Sequence, residues 1–301
     1  MKHGFLILTH FPPERIYTQV KRLQSPDHYF FIHFDKKLHL NEDDHFYKQL
    51  AATNNVTILK NRTDVKWAGF SMLPPILDLI REGLKHTDIG YFHLLSAECL
   101  HVKSIKYIHD FFNKNNGKEY IHYMLMTKER QKHAFTYRRI DKYHLYDYYN
   151  YKSKETKDVI IRGIDSILRK LQRGLKLIGI HRRYSSEFPT LYGGPTWWSL
   201  TYNVCRYIID YVDKNPAFYE RFKNTQSSDE ILIHTLVMNS PYRENVINNN
   251  LRYSYFERGA PHPNPLTMEY LPELSKENIL FARKFTPASK ELLDYLDKNV
   301  Y

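Results

Sequence analysis

Asp229 and Glu230 open an apolar run, Ile231-Leu232-Ile233-His234-Thr235-Leu236, and further on Arg283-Lys284 lie between Phe281-Ala282 and Phe285. A carboxylate held at a helix start can take a proton from a hydroxyl. Two adjacent cations can neutralise a departing diphosphate. Together they suit an inverting sugar transfer, with one group deprotonating an acceptor and the other stabilising a leaving nucleoside diphosphate. The plain alternative is that the acidic pair only complements the positive end of a helix. Arg283 and Lys284 would then be solvated charges between two buried phenylalanines.

Such side chains need a scaffold, and the first hundred residues describe one. Phe5–Thr9, Tyr29–Phe34, Val56–Leu59 and Tyr91–Leu95 have the apolar runs of buried strands. Between them, Glu14–Leu23 is expected to be a helix begun by Pro12-Pro13. Ser71 is expected to cap another, with Pro74-Pro75 in its first turn and Ile76, Leu77, Ile80 and Leu84 on its apolar face. This alternation predicts an α/β fold with a mostly parallel central sheet flanked by helices. In such sheets ligands sit beyond the carboxyl ends of the strands, so His10, Asp35 and Ser96-Ala97-Glu98 become candidate lining residues.

The net charge of +11 is concentrated in the middle, where residues 128–183 hold 16 Lys and Arg against 6 Asp and Glu. A patch of that kind attracts polyanions: nucleic acid, anionic lipid or phosphorylated substrates. No nucleic-acid motif accompanies it, so nucleic acid is excluded from the expected partners. Within this stretch, Asp158 to Ile180 has the spacing of a basic amphipathic helix. Most such helices pack on their own protein; the alternative is peripheral contact with an anionic membrane.

The chain has 301 residues, enough for a sizeable core, and 15% aromatic residues led by 25 Tyr. Two cysteines, Cys99 and Cys205, form no disulfide framework and point to a reducing compartment. Met1-Lys2-His3 runs straight into the first strand, with no secretory leader, and no apolar run reaches membrane-spanning length. The expected location is cytoplasmic, with peripheral attachment to the inner face of the membrane as an extension.

Seven short motifs occur in order: Ile32-His33-Phe34-Asp35-Lys36-Lys37, Val65-Lys66-Trp67-Ala68-Gly69-Phe70-Ser71, Phe92-His93-Leu94-Leu95-Ser96, Gly193-Gly194-Pro195-Thr196-Trp197-Trp198-Ser199-Leu200, Asp229-Glu230, Pro261-His262-Pro263 and Phe281-Ala282-Arg283-Lys284-Phe285. The series resembles the core-2/I-branching β-1,6-N-acetylglucosaminyltransferase family (glycosyltransferase family 14), which also contains peptide O-xylosyltransferases. It spans roughly residues 5 to 286. The resemblance implies a GT-A-type fold, a UDP-linked sugar donor with GlcNAc as the first expectation, inversion at the anomeric carbon, and independence from divalent metal. None of the 17 aspartates lies two residues from another, so the Asp-x-Asp metal motif is missing. No cofactor is expected. One catalytic domain is expected, with a nucleotide-sugar half at 1–118, a basic Tyr-rich helical insertion at 119–190 and an acceptor and catalytic half at 191–301.

The resemblance assigns the catalytic carboxylate to Glu230 and a diphosphate-binding cation to Lys284, with Arg283 as a second. His10, Asp35, Trp67, Ser71 and Glu98 border the donor, and Trp197, Trp198, Tyr253 and Tyr255 are aromatic candidates for the acceptor side. A further phosphate-binding Arg of the family has no clear counterpart; Arg258 and His262 are the stand-ins. Three departures matter. Ala68 replaces the first Gly of the family's Trp-Gly-Gly-x-Ser, and Cys99 occupies an aspartate position, leaving Glu98 to serve instead or the site altered. The last is that the animal enzymes carry a membrane anchor and many cysteines, so that a bacterial or otherwise cytosolic relative is expected here. The expected partners are a UDP-sugar, an oligosaccharide or lipid-linked glycan acceptor of a surface-polysaccharide pathway, and an anionic membrane surface. Two alternatives remain: a xylosyl or other sugar transferase on the same scaffold, and a catalytically silent carbohydrate- or lipid-binding relative.

Overall fold

The computed structural model describes residues 1–126, 139–151, 153–180, 182, 189–258, 260 and 262–301. The rest of the basic middle, and Pro261 of the Pro-His-Pro motif, lie outside the described residues. β1 (Lys2–Thr9) leads through α1 (Pro13–Leu23) to β2 (His28–Phe34). α2 (His45–Ala51), β3 (Val56–Ile58), α3 (Leu73–Gly83), β4 (Ile89–Ser96) and the short β5 (Leu100–His101) follow. α4 (Ile105–Lys114), β6 (Glu119–Ile121) and β7 (Met124–Leu125) precede the long α5 (Thr156–Leu177). Then come β8 (Tyr192–Gly193), β9 (Trp198–Thr201), α6 (Tyr202–Lys214), α7 (Pro216–Glu220) and α8 (Asp229–Met238). The chain closes with β10 (Val246–Ile247), β11 (Arg252–Tyr253), α9 (Leu271–Leu274), β12 (Phe281–Ala282) and α10 (Lys290–Asn299).

Seven strands form the central sheet in the order β10-β6-β9-β4-β1-β2-β3. β1 pairs in parallel with β2 and β4, β2 with β3, and β6 with β10; β9 runs antiparallel to β4 and β6. The strands are rich in buried apolar residues because helices cover both faces, with His3, His28, His33 and His93 buried among them. Successive residues alternate between the two cores. Leu6, Phe31, Phe92 and Leu94 face one, filled by α3, α6 and α8. Phe5, Ile7, Phe30, Ile32, Tyr91 and Leu95 face the other, filled by α1 and α4. The predicted α/β fold with a mainly parallel sheet is the one observed.

A second, three-stranded sheet, β11-β12-β5, packs with α9 and α10 around a separate small core of Leu266, Leu274, Phe285, Leu292 and Leu296. Its register matters for the site. Antiparallel pairing of Ala282 with Leu100 and Phe281 with His101 sets Lys284 across from Glu98.

Two expectations need correction. Ser71 does not cap α3; it lies in a single 3-10 turn, Phe70–Met72, and its hydroxyl accepts from the Lys66 backbone N–H at 2.9 Å. The prolines displace the cap because α3 starts at Leu73 with Pro74-Pro75 in positions that need no amide hydrogen. The basic helix, in turn, buries only part of its apolar side against the protein, Ile161 packing against Ala68, Tyr146 and Tyr149. Asp165 is the only fully buried side chain of α5, while Ile160, Ile164, Ile167 and Leu171 stand in solvent.

Candidate functional site

Parallel β1, β2 and β4 end side by side, and their carboxyl ends bring His10, Asp35 and Glu98 to one edge. The Asp35 amide donates to Thr9 O at 2.7 Å and the Ala97 amide to Leu8 O at 3.3 Å, which locks the three exits together. Lys284 Nζ lies 3.1 Å from Glu98 Oε1, and Arg283 Nη2 lies 3.9 Å from Glu98 Oε2. His10 faces this cluster: desolvation lowers its pKa, Glu98 and Asp35 raise it, and Lys284 and Lys37 lower it. Asp35 is nearly buried, its Oδ1 accepting from the Lys37 amide at 2.8 Å and its Oδ2 3.0 Å from Lys37 Nζ. It therefore shapes the 35–38 turn as well as bordering the edge.

Cys99, at the aspartate position of the resemblance, is turned into the core with no exposed surface. Its Sγ sits 3.3 Å from Ser96 Oγ. Glu98, one residue earlier, is the carboxylate that reaches the cations. A turn between β4 and β5, closed by the Cys99 amide donating to Ser96 O at 3.0 Å, sends the two side chains to different sides.

α8 is buried at every position except Glu230. Its apolar residues have no surface left to share, so the first turn is where a polar side chain can emerge. Asp229 is buried and accepts from Thr196 Oγ1 at 2.8 Å. Glu230 Oε2 is 2.5 Å from Arg139 Nη1. Burial, and the repulsion of Glu230, push the Asp229 pKa up. Burial also raises that of Glu230, with Arg139 opposing. A carboxylate that is ionised but poorly hydrated is a better proton acceptor than one in bulk water. Ser228, at the helix entrance, offers no side-chain cap; its hydroxyl is buried.

The segment 193–198 ties these two parts together. Gly194 N–H donates to Glu230 O at 3.0 Å. A Cβ at Gly194 would fall 2.0 Å from His122 O and 2.7 Å from His234 Nε2, so only glycine allows this approach. Thr196 holds Asp229, and the next residue, Trp197, lies under Arg283, whose guanidinium carbon is 4.9 Å from the ring centroid. One short stretch thus contacts both the carboxylate pair and the cation pair.

The Trp67–Ser71 turn forms a further wall. Asp147 accepts from the amides of Phe70 and Ser71 at 2.9 and 2.8 Å. A Cβ at Gly69 would sit 2.2 Å from Asp147 Oδ1, which explains the glycine there. Ala68 has φ 61°, a region in which the family's glycine costs nothing and alanine is strained. The turn nevertheless contacts the segment leading into α8: Ala68 O accepts from the Ser227 amide at 2.8 Å. Trp67, 45% exposed, places its ring against Tyr151 and His262 at centroid distances of 5.1 and 6.1 Å. Arg258 is exposed.

Of the four aromatic acceptor candidates, Trp198 is excluded. Its side chain has no exposed surface and belongs to the core under β9, because consecutive residues of a strand face opposite ways. Trp197 is half-buried beside Arg283. Tyr253 and Tyr255 pack against Tyr270 at 6.1 and 5.3 Å, with Tyr255 the more open. Two residues escaped sequence reasoning. Arg139 registered only as part of a charge surplus, and Asp147 as one acid among tyrosines; no local pattern marks either, because their partners are 91 and 76–77 residues away. Among the described residues no group of three or more His, Cys, Asp or Glu is placed to hold a metal ion.

An α/β protein with a carboxylate emerging from a buried helix, beside paired cations at the carboxyl edge of a parallel sheet, is the class that fold and site define. The profile of the Core-2/I-Branching enzyme family matches residues 4–279, and the chain belongs to that family. It is similar to xylosyltransferase 2 of Rattus norvegicus, 24% identical over 316 residues, covering 95% of this chain and 32% of that protein. It is also similar to the xylosyltransferase of Ciona intestinalis, at 21% over 304 residues, covering 94% of this chain and 32% of the other. The chain thus spans about a third of the length of these relatives. Among solved structures, S. aureus TarS 1–349 in complex with UDP-GlcNAc overlaps 44% of this chain and 37% of its own, with 10% identity and a TM-score of 0.29.

Proposed function

We propose that this chain is an inverting glycosyltransferase of GT-A type that moves a sugar from a UDP-sugar to a hydroxyl of a glycan acceptor. In this mechanism the acceptor hydroxyl lies against Glu230 and gives up its proton to that carboxylate. The acceptor oxygen attacks the anomeric carbon from the face opposite the diphosphate. The bond from that carbon to the diphosphate oxygen breaks, and the electron pair leaves with UDP. Lys284 and Arg283 neutralise the departing charge, the task a divalent metal performs elsewhere. Arg offers a two-pronged contact to phosphate oxygens and Lys a point charge.

The observation that carries this reading is the single segment from Gly194 to Trp197, which touches the base helix at one end and Arg283 at the other. Family membership supports it independently. GlcNAc and xylose are the donors to compare first, the second because the relatives above are named xylosyltransferases. A cytoplasmic role in surface-polysaccharide synthesis, compatible with two free and buried cysteines, completes the proposal. The competing reading is a silent glycan binder, favoured by Cys99 in the aspartate position.

Release of UDP from a panel of UDP-sugars, with and without EDTA, tests the proposal. Wild type should hydrolyse one donor slowly and without sensitivity to EDTA. Glu230→Gln should lower turnover by about 10² or more while retaining UDP binding. Normal turnover in that variant removes Glu230 as the base. Failure of UDP to raise the melting temperature removes the donor site and leaves the binding-protein reading.

A further inference from the structure

α5 meets the protein through a mixed face, in which Ile161 packs against Ala68, Tyr146 and Tyr149 and polar side chains make the remaining contacts. Asp165, buried, accepts from the Leu145 amide at 2.8 Å and pairs with Arg169 at 3.0 Å. Gln172 exchanges two hydrogen bonds with the Tyr143 backbone, Arg162 donates to Tyr151 O at 2.6 Å, and Lys176 pairs with Asp141 at 2.5 Å. The opposite side carries Ile160, Ile164, Ile167 and Leu171, between 51% and 67% exposed, and Leu177, Ile178 and Ile180 at the helix end are exposed as well. Steps of four, three and four residues put the first four on one line about 16 Å long. Exposed aliphatics in such a row are costly in water and mark a contact surface.

Charge decides what the surface contacts. α5 has six cations and two aspartates, and both aspartates are occupied inward: Asp165 as above, and Asp158 by the Asn150 amide at 2.8 Å. Lys157 and Lys170 are exposed and flank the stripe at helical spacing. A second copy of the helix, which the spacing alone would fit as a seam, would meet like charge with no acids to cross-pair, and Gly174 would leave a gap in it. A surface that takes aliphatic side chains and offers anionic groups around them satisfies both features at once. That is the interface of an anionic bilayer, where a basic amphipathic helix lies flat with its apolar side sunk among the acyl chains. No described helix is long and apolar enough to cross a membrane.

We propose that the outer face of α5 is a docking surface for anionic phospholipid, with Ile160, Ile164, Ile167 and Leu171 entering the bilayer and Lys157 and Lys170 meeting the headgroups. This does not depend on the transferase reading. The helix holds the 143–151 loop, and Asp147 of that loop holds the Trp67 turn. The docked bilayer therefore lies on the side of the molecule that carries this wall of the site.

Co-sedimentation with vesicles tests it, using phosphatidylcholine alone and phosphatidylcholine with phosphatidylserine. Wild type should bind the anionic vesicles and not the neutral ones. Ile167→Ser/Leu171→Ser and Lys157→Glu/Lys170→Glu should each lower vesicle affinity by on the order of tenfold or more. Both should keep the wild-type melting temperature and UDP affinity, since every altered side chain is exposed. Equal binding to both vesicles, no binding, or unchanged binding by either variant would overturn the proposal. So would a concentration-dependent dimer in ultracentrifugation that the Ile167→Ser/Leu171→Ser pair abolishes, which would assign the stripe to self-association.

Discussion

Lys284 stands across from Glu98, Nζ to Oε1 at 3.1 Å, because β12 and β5 pair antiparallel with Ala282 against Leu100. The same ladder continues in a hydrogen bond from the Phe285 amide to Glu98 O at 3.1 Å. The proposed diphosphate cation is thus held by a carboxylate until a stronger anion arrives.

That arrangement makes Glu98 a competitor for the site's cations. Glu98→Gln should tighten UDP binding about fivefold, the equivalent of about 1 kcal/mol of relieved repulsion in a partly solvated site. Lys284→Ala should weaken UDP binding and turnover together. Calorimetric titration of UDP into both variants checks this. Looser binding in Glu98→Gln would assign Glu98 to the donor itself, and unchanged affinity in Lys284→Ala would move the phosphate site elsewhere.

Arg139 opposes the rise that burial imposes on the Glu230 pKa. Removing it with Arg139→Met should carry the acidic limb of the kcat/KM profile upward by about one pH unit. Glu230 must be ionised to accept a proton, so activity near neutral pH falls and recovers as pH rises. A profile measured from pH 5 to 9 decides it. A uniform drop with an unmoved limb would mean that Arg139 only supports the fold or the acceptor.

Trp197 and Trp198 are adjacent in sequence and opposite in role. Trp198→Ala should cost about 3–5 kcal/mol of stability, since it empties a fully buried site. Trp197→Ala should cost much less and act on Arg283 instead, losing a cation–π contact of about 1 kcal/mol. Chemical denaturation separates the first effect from the second, which should be seen as weaker UDP binding. Equal stability losses would place both rings in the core.

The buried histidines also predict an acid-sensitive fold. Burial lowers the pKa of His28, His33 and His101 to about 4, of His234 to about 3 and of His3 to about 2, and takes His93 well below its ordinary value. Each stabilises the fold fully above its unfolded value of 6.5 and loses that contribution as pH falls toward the folded value. Glu119, raised to about 7 by burial, and the Asp229–Glu230 pair act in the opposite sense, but six histidines outnumber three carboxyls. The melting temperature should therefore drop by about 5–10 °C from pH 7 to pH 5. A flat curve would mean that water reaches the His3–His93 and His28–His109 pairs.

Local sequence determined the elements and the chemistry available to them. Apolar runs long enough for strands, punctuated by Pro12-Pro13 and Pro74-Pro75, specify an α/β sheet because no other arrangement buries them on both faces. The ends of those runs marked His10, Asp35 and Glu98, since a parallel sheet must open at its carboxyl edge. An acidic pair at the start of a wholly apolar helix marked Glu230, the one residue of α8 with an outlet. Tertiary structure decided everything that depends on pairs far apart in the chain. Arg139 reaches Glu230, Asp147 reaches the Trp67 turn, and Lys284 reaches Glu98 through strand registers that no local pattern encodes. The orientation of α5 was decided there as well. Periodicity alone shows that a helix has two faces, but only the contacts of Ile161, Asp165 and Gln172 show which one faces in and that Ile160, Ile164, Ile167 and Leu171 face out.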